Sequence, residues 1–292
     1  VFDIDTKKIG LGQFEFKQHF PNPSWVEHDP IEIWDSQLAA IKEALKAGKV
    51  KPQDISAIGI TNQRETTLIW DAVTGKPLYN AIVWQDRRTA DFCNDIRNGE
   101  HASMIIEKTG LIPDAYFSAS KIRWILNNVD GARERADRGE LRFGTVDTWI
   151  IWNLTGGNSH LTDASNASRT MLYDISNGCW DQDLCALFEV PMSVLPKVVD
   201  SSGYLAVTSE KVFGAEIPIT GIAGDQQSAL FGQLCFETGE AKNTYGTGCF
   251  AVANTGKQIV RSSNQLLSTV PWQLDGELTY AIEGSVYVAG AL

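Results

Sequence analysis

The chain has 292 residues, of which 43% are hydrophobic and 21% charged, with nine Trp and 12 Phe. This is a globular composition, long enough for about two domains and a large buried core. The net charge of -11 argues against nucleic acid or an anionic membrane as a partner held by charge. No apolar run reaches the roughly 20 residues that a membrane-spanning helix requires, so no membrane insertion is expected.

In chain order, residues 1–4 read as a strand. Residues 29–47 read as a helix: Asp29 is the N-cap, Pro30 opens the first turn, and Glu32 is placed to complete a capping box. Ile31, Trp34, Leu38, Ile41 and Leu45 recur at helical spacing as its buried face, and Gly48 ends it. A strand at 55–61 follows, then a hairpin of strands 66–71 and 81–85 about a turn at 74–77. Helices are expected at 89–98 and 118–129, the latter burying Ile122, Ile125, Leu126 and Val129. The polar run 130–140 reads as loop or helix end. Residues 143–154 are apolar and Trp-rich, and periodicity does not decide between helix and strand. Residues 158–174 read as a polar segment ending in a strand at 169–173, and 181–188 as a short helix. From 217 onward β signals dominate, broken by a helix at 226–234.

This irregular alternation, with hairpins mixed in, predicts an α/β protein with a mixed sheet and not a doubly wound parallel one. A domain boundary is expected near 235–239. The five cysteines form no Cys-x-x-Cys pair, which argues against a zinc site or a disulfide framework and for free thiols in a reducing cytoplasm.

The most informative stretch is 221–250. A β run at 217–222 meets a Gly-Asp turn and then a helix, so Asp225 stands at the carboxyl end of a strand. A second turn, Tyr245-Gly246-Thr247-Gly248, joins two further strand-like runs. A carboxylate on a rigid strand end can accept a hydroxyl proton, and a glycine hairpin lets backbone amides approach phosphate oxygens closely. By position alone, however, Asp225 reads more readily as a helix cap than as a base, and the glycine turn as a plain hairpin.

Six stretches carry a resemblance: GITNQRETT (59–67), NAIVWQDRRTA (80–90), FGTVDTWIIW (143–152), NASRTML (166–172), GIAGDQQSALFGQLC (221–235) and AKNTYGTGCF (241–250). In this order, and over essentially the whole chain, they resemble the FGGY carbohydrate kinases, and among them those acting on glycerol. The resemblance implies an actin-like, ribonuclease-H-like fold: a mixed sheet with flanking helices, plus the start of a second similar domain. It implies a substrate domain at 1–237 lacking its first strand and turn, and an incomplete nucleotide domain at 238–292. It implies ATP-dependent phosphorylation of glycerol to sn-glycerol 3-phosphate with Mg²⁺, by a cytoplasmic and homo-oligomeric protein when complete.

Site roles follow from the same resemblance. Arg64, Glu65, Tyr116 and Asp225 would hydrogen-bond the glycerol hydroxyls, with Gln226 alongside. Trp84 and Phe250 would form an apolar wall against the carbon edge. Asp225 would be the general base, Gly246, Thr247 and Gly248 would approach the ATP phosphates, and Gly290 would contact the nucleotide. No protein metal ligand is assigned. These types suit a small triol: Arg donates, carboxylates accept, Tyr does either, and an aromatic wall excludes water. Taken singly, Arg64 and Glu65 read as an exposed pair and the aromatics as core.

Two family segments, an Asp-x-Gly-Thr-Thr phosphate turn and a glycine-rich adenosine pocket, are expected outside 1–292, so these residues alone are expected to be inactive or nearly so. Glu216 stands where some bacterial members carry a basic residue in a fructose 1,6-bisphosphate loop, so control through that loop is not expected. The alternatives are another FGGY kinase of a polyol or pentulose, or a non-catalytic binding protein on an actin-like scaffold.

Overall fold

The structure is a computed structural model that describes residues 1–246 and 248–286. Its frame is a three-stranded sheet in which Pro218–Gly224 lies between Ser202–Val207, antiparallel, and Ile58–Asn62, parallel. In the parallel pair Ala223 stands opposite Thr61 and Gly224 opposite Asn62. Parallel pairing brings both carboxyl ends to one edge, where α/β proteins place their ligands.

The first helix runs Pro30–Gly48 with Asp29 accepting from the Ile31 amide as N-cap. Glu32 does not complete a capping box: its carboxylate accepts from the Lys17 amide at 3.2 Å. Gly48 is still helical, and Lys49, left-handed at φ 54°, is the C-cap. The buried face is carried by Ile33, Ser36 and Leu45, with Trp34 and Ile41 at its margin, while Ile31 is exposed. Residues 1–4 form no strand; Phe2 makes an isolated bridge to Lys8.

Leu68–Asp71 pairs antiparallel with Leu141–Gly144, and Thr67 and Trp70 bridge to Ile82 and Pro77. The expected hairpin is therefore present, with its second strand limited to Ala81–Ile82. The undecided apolar run divides at Thr145, whose extended backbone separates the Leu141–Gly144 strand from the Val146–Leu154 helix. That helix is buried on nearly all sides, and the Trp149 indole donates to the Pro30 carbonyl at 2.9 Å. An all-round apolar helix leaves no periodic signal. Its core also takes in Leu68, Trp70, Ile219 and Ile222, and a second, larger core packs the Ser118–Asn128 helix against Leu141 and Phe143.

Of the expected strand at 169–173 only the end is present, as Tyr173–Asp174 paired antiparallel with Cys179–Trp180. Leu161–Asp163 pairs parallel with Lys197–Val199, a short Ala164–Ala167 helix follows, and Arg169 falls in the turn after it. Asp163 caps that helix and is fully buried. It accepts from the Ser165 amide and hydroxyl, from the Asn166 amide and side chain, and from the Ser201 hydroxyl. Ser165 Oγ in turn accepts from the Gly224 amide at 2.9 Å, so Asp163 supports the turn that carries Asp225. Asp163→Ala would leave this set of buried donors without an acceptor. A destabilisation of about 3 kcal/mol or more is expected, read from the denaturant midpoint, and a loss under about 1 kcal/mol would refute this role.

Beyond the Asp225–Gly232 helix lies an antiparallel sheet in the order Ala241–Tyr245, Cys249–Gly256, Tyr280–Val286, Leu267–Thr269. Tyr245 stands opposite Cys249, and the Gly246 amide donates to the Gly248 carbonyl at 2.9 Å. All five cysteines are free.

Candidate active site

The segment 63–65 and Asp225 leave the same sheet edge because their strands end in register. Gly224 permits the close approach: a Cβ there would lie 2.7 Å from Arg64 Cδ and 2.8 Å from Gln227 Oε1. Glu65 is held at φ 62°, a left-handed conformation that costs a non-glycine residue on the order of 1–3 kcal/mol and is found where a side chain must be aimed.

Arg64 is 3% exposed and makes a bidentate pair with Glu283, Nη1 to Oε2 at 2.7 Å and Nη2 to Oε1 at 2.8 Å. Its Nη2 also donates to the Tyr116 hydroxyl at 3.4 Å and Nη1 to Gln227 Oε1 at 3.2 Å. Nε lies 3.4 Å from Asp225 Oδ1 and 3.7 Å from Glu65 Oε1. Arg169 Nε donates to Glu65 Oε1 at 2.7 Å and its Nη2 to Glu283 Oε1 at 3.3 Å. Two guanidiniums and two carboxylates thus share one buried cluster, each charge facing its opposite.

Burial resists ionisation throughout the cluster, and the partners decide the outcome. For Glu283 burial is outweighed by Arg169 and Arg64, which hold its carboxyl down at about 2. For Glu65 burial prevails over Arg64 and Arg169 and pushes its carboxyl up. Burial, reinforced by Glu65, raises the Tyr116 phenol, which is therefore a neutral hydroxyl. Tyr116 is fixed from behind: its amide donates to Asp114 Oδ1 at 2.9 Å, and the buried Lys121 ammonium donates to the Tyr116 and Phe117 carbonyls at 2.6 and 3.0 Å.

Asp225 is not a cap. Gly224 occupies the N-cap position and makes no side-chain capping bond, and Asp225 is the first helical residue. Its side chain remains 46% exposed, which leaves the carboxylate open to a ligand. Gln226 donates to it twice, from its amide to Oδ1 at 2.8 Å and from Nε2 to Oδ2 at 3.0 Å.

Arg64, Glu65, Tyr116, Asp225 and Gln226 are therefore in one continuous set of contacts, and Trp84 joins it edge-on to the Tyr116 ring at 5.6 Å. Phe250 is linked through its carbonyl, which accepts from Lys242 at 3.1 Å. Gly246 and Gly248 follow and precede the paired strands Ala241–Tyr245 and Cys249–Gly256; Thr247 and Gly290 lie outside the described residues. The Arg64–Glu65 pair is buried and not exposed. The basic run after Asp86 is structural: Arg88 pairs with Asp86 and Glu27 and lies 3.8 Å over the Trp25 ring, and Arg87 pairs with Asp114.

Glu283, Arg169, Lys121 and Lys242 were not read from the sequence as site residues. A signal existed for Glu283, because period two in Ala281-Ile282-Glu283 puts it on the same face as the buried Ala281.

The family model for the N-terminal domain of the FGGY family of carbohydrate kinases matches residues 1–232. A glycerol kinase of Deinococcus radiodurans is 58% identical over the whole chain, which spans 58% of that relative. One of Carboxydothermus hydrogenoformans is 57% identical, again over the whole chain and 59% of the relative. The chain thus spans less than two thirds of the length of these curated relatives. Among solved structures, a Plasmodium falciparum glycerol kinase with ADP matches 95% of this chain and 56% of its own at TM-score 0.90 and 41% identity. A xylulose kinase of Rhodospirillum rubrum matches 94% of this chain and 55% of its own at TM-score 0.80 and 21% identity, a likeness of fold alone. The mixed α/β architecture is accordingly the actin-like, ribonuclease-H-like one, and the chain belongs to the FGGY family of carbohydrate kinases.

Proposed function

We propose that the complete protein transfers the γ-phosphoryl group of ATP to a terminal hydroxyl of glycerol, giving sn-glycerol 3-phosphate and ADP. The observation that carries this reading is the convergence of Arg64, Glu65, Tyr116 and the half-exposed Asp225 at one sheet edge. The glycerol kinase names of the relatives at 57–58% identity support the choice of substrate.

In this reading Arg64, Glu65 and Tyr116 hydrogen-bond the triol, with Gln226 beside them, and Trp84 and Phe250 face its carbons. Asp225 takes the proton of the attacking hydroxyl. The new bond joins that oxygen to the γ-phosphorus, the bond to the β–γ bridging oxygen breaks, and ADP leaves with that electron pair. Gly246, Thr247 and Gly248 meet the phosphates, and Gly290 the nucleotide. Residues 1–237 form the substrate domain and 238–292 begin the nucleotide domain.

Among the described residues no group of three or more His, Cys, Asp or Glu is placed to hold a metal. The reading takes Mg²⁺ together with ATP, an ion usually bound by one or two carboxylates plus the substrate phosphates. Bound to the phosphates, Mg²⁺ would neutralise their charge. The free cysteines agree with a cytoplasmic setting, and no described helix is long and apolar enough to cross a membrane.

The test is a phosphoryl-acceptor panel with the complete protein, with glycerol, erythritol, xylulose and gluconate. Glycerol is expected to give the highest kcat/KM, and a preference for xylulose would overturn the assignment.

A further inference from the structure

Lys242 is the one buried residue of the otherwise exposed Ala241–Tyr245 strand, at 7% exposure. A buried lysine is costly unless its charge is paired, yet among the described residues no carboxylate lies within ion-pair distance of it. Its ammonium instead donates to three neutral acceptors: the Gln226 side-chain oxygen, Thr244 Oγ1 at 2.9 Å and the Phe250 carbonyl at 3.1 Å. An ammonium has three donors, so none is left over for a phosphate. A role confined to holding the hairpin would be met more cheaply by an apolar side chain.

The arrangement has a chemical consequence. An ammonium can only donate, so the Gln226 amide must turn its oxygen toward Lys242. Its nitrogen then faces Asp225 and donates to Oδ2 at 3.0 Å. The Gln226 backbone N–H holds Oδ1, so the contact that Lys242 sets is the side-chain one to Oδ2. Without Lys242 the amide can flip and present its oxygen to the carboxylate. The same ammonium reaches both strands of the glycine hairpin, at Thr244 and Phe250.

We propose that Lys242 is a positioning residue: it orients Gln226, and through it Asp225, and ties that carboxylate to the glycine hairpin. This rests on the reading that Asp225 is the general base.

In the complete protein Lys242→Met is expected to lower kcat about 10- to 100-fold, as a misplaced group does, with the KM for glycerol within about 3-fold. Because Lys242 acts through Gln226, adding Lys242→Met to Gln226→Ala is expected to lower kcat by less than about 2-fold more. Losses that multiply, or a kcat of Lys242→Met within about 2-fold of the parent, overturn the proposal. Should Lys242→Met fail to fold, Gln226→Glu carries the test: it keeps the lysine contact but turns an acceptor toward Asp225. Its kcat must fall at least about 10-fold, and an unchanged kcat overturns the proposal. An active Asp225→Asn instead sinks the base assignment. A dead Asp225→Asn beside an unaffected Lys242→Met sinks this inference alone.

Discussion

Asp225→Asn in the complete protein is expected to lower kcat by about 10²–10⁴-fold, the range a positioned general base contributes, while the KM for glycerol changes by less than about 5-fold. Asparagine has the shape of aspartate and still accepts a hydrogen bond at its oxygen, so the triol retains a partner. It cannot take up the hydroxyl proton. The structural cost is limited: the side chain is half-exposed and caps no helix, its loss of charge leaves Arg64 neutralised by Glu283 at 2.7 Å, and one of the two Gln226 donors loses its acceptor. A stability change within about 1 kcal/mol is expected. Steady-state kinetics with glycerol and ATP, alongside a melting curve, separate the two effects. A kcat within about 10-fold of the parent would remove Asp225 from the chemistry.

The legible parts of this molecule were those fixed by local chemistry. Asp29 and Pro30 announce the first helix, and that helix begins where they stand. The Gly-Asp turn announces a strand end, and Asp225 is at one. Local pattern failed where environment decides. The run 143–154 hides a strand and a helix because both are buried, so neither shows a polar side. Residues 169–173 look like a strand by composition, but the turn after the Asp163-capped helix takes up 168–172 and the strand starts only at Tyr173. Arg64 and Glu65 look like surface charges because their partners Arg169 and Glu283 lie far along the chain. No window of sequence around an arginine reports a carboxylate more than 200 residues away. What placed Arg64, Tyr116 and Asp225 together beforehand was the family resemblance, not spacing or periodicity. The ordinary reading of Asp225 as a helix cap fails on geometry alone, since Gly224 holds that position.

Glu283→Ala is expected to be the most damaging single change to the site. Removing one partner of a buried ion pair costs about 3–5 kcal/mol because the charge left behind is not solvated. Here two guanidiniums, Arg64 and Arg169, lose their shared carboxylate. Glu65, already bound to Arg169 at 2.7 Å, must then serve both. Arg64 is drawn toward Glu65 and Asp225, the groups proposed to face glycerol, and glycerol affinity is expected to fall about 100-fold. Denaturant unfolding reads the first effect and calorimetric titration with glycerol the second. Glu283→Gln separates shape from charge: it fills the same volume without the negative charge and is expected to retain little of either quantity. The pH dependence has a defined sign. Arg169 and Arg64 hold the Glu283 carboxyl at about 2, against an ordinary 4.5, so the stabilisation it provides is complete above pH about 4.5 and is lost as the pH falls toward 2. The stability gap between parent and Glu283→Gln should accordingly be constant from neutral pH down to about 5 and close below 4.5. A gap that persists unchanged at pH 3, or a Glu283→Ala protein that binds glycerol as tightly as its parent, would show that this carboxylate does not hold Arg64 for the substrate.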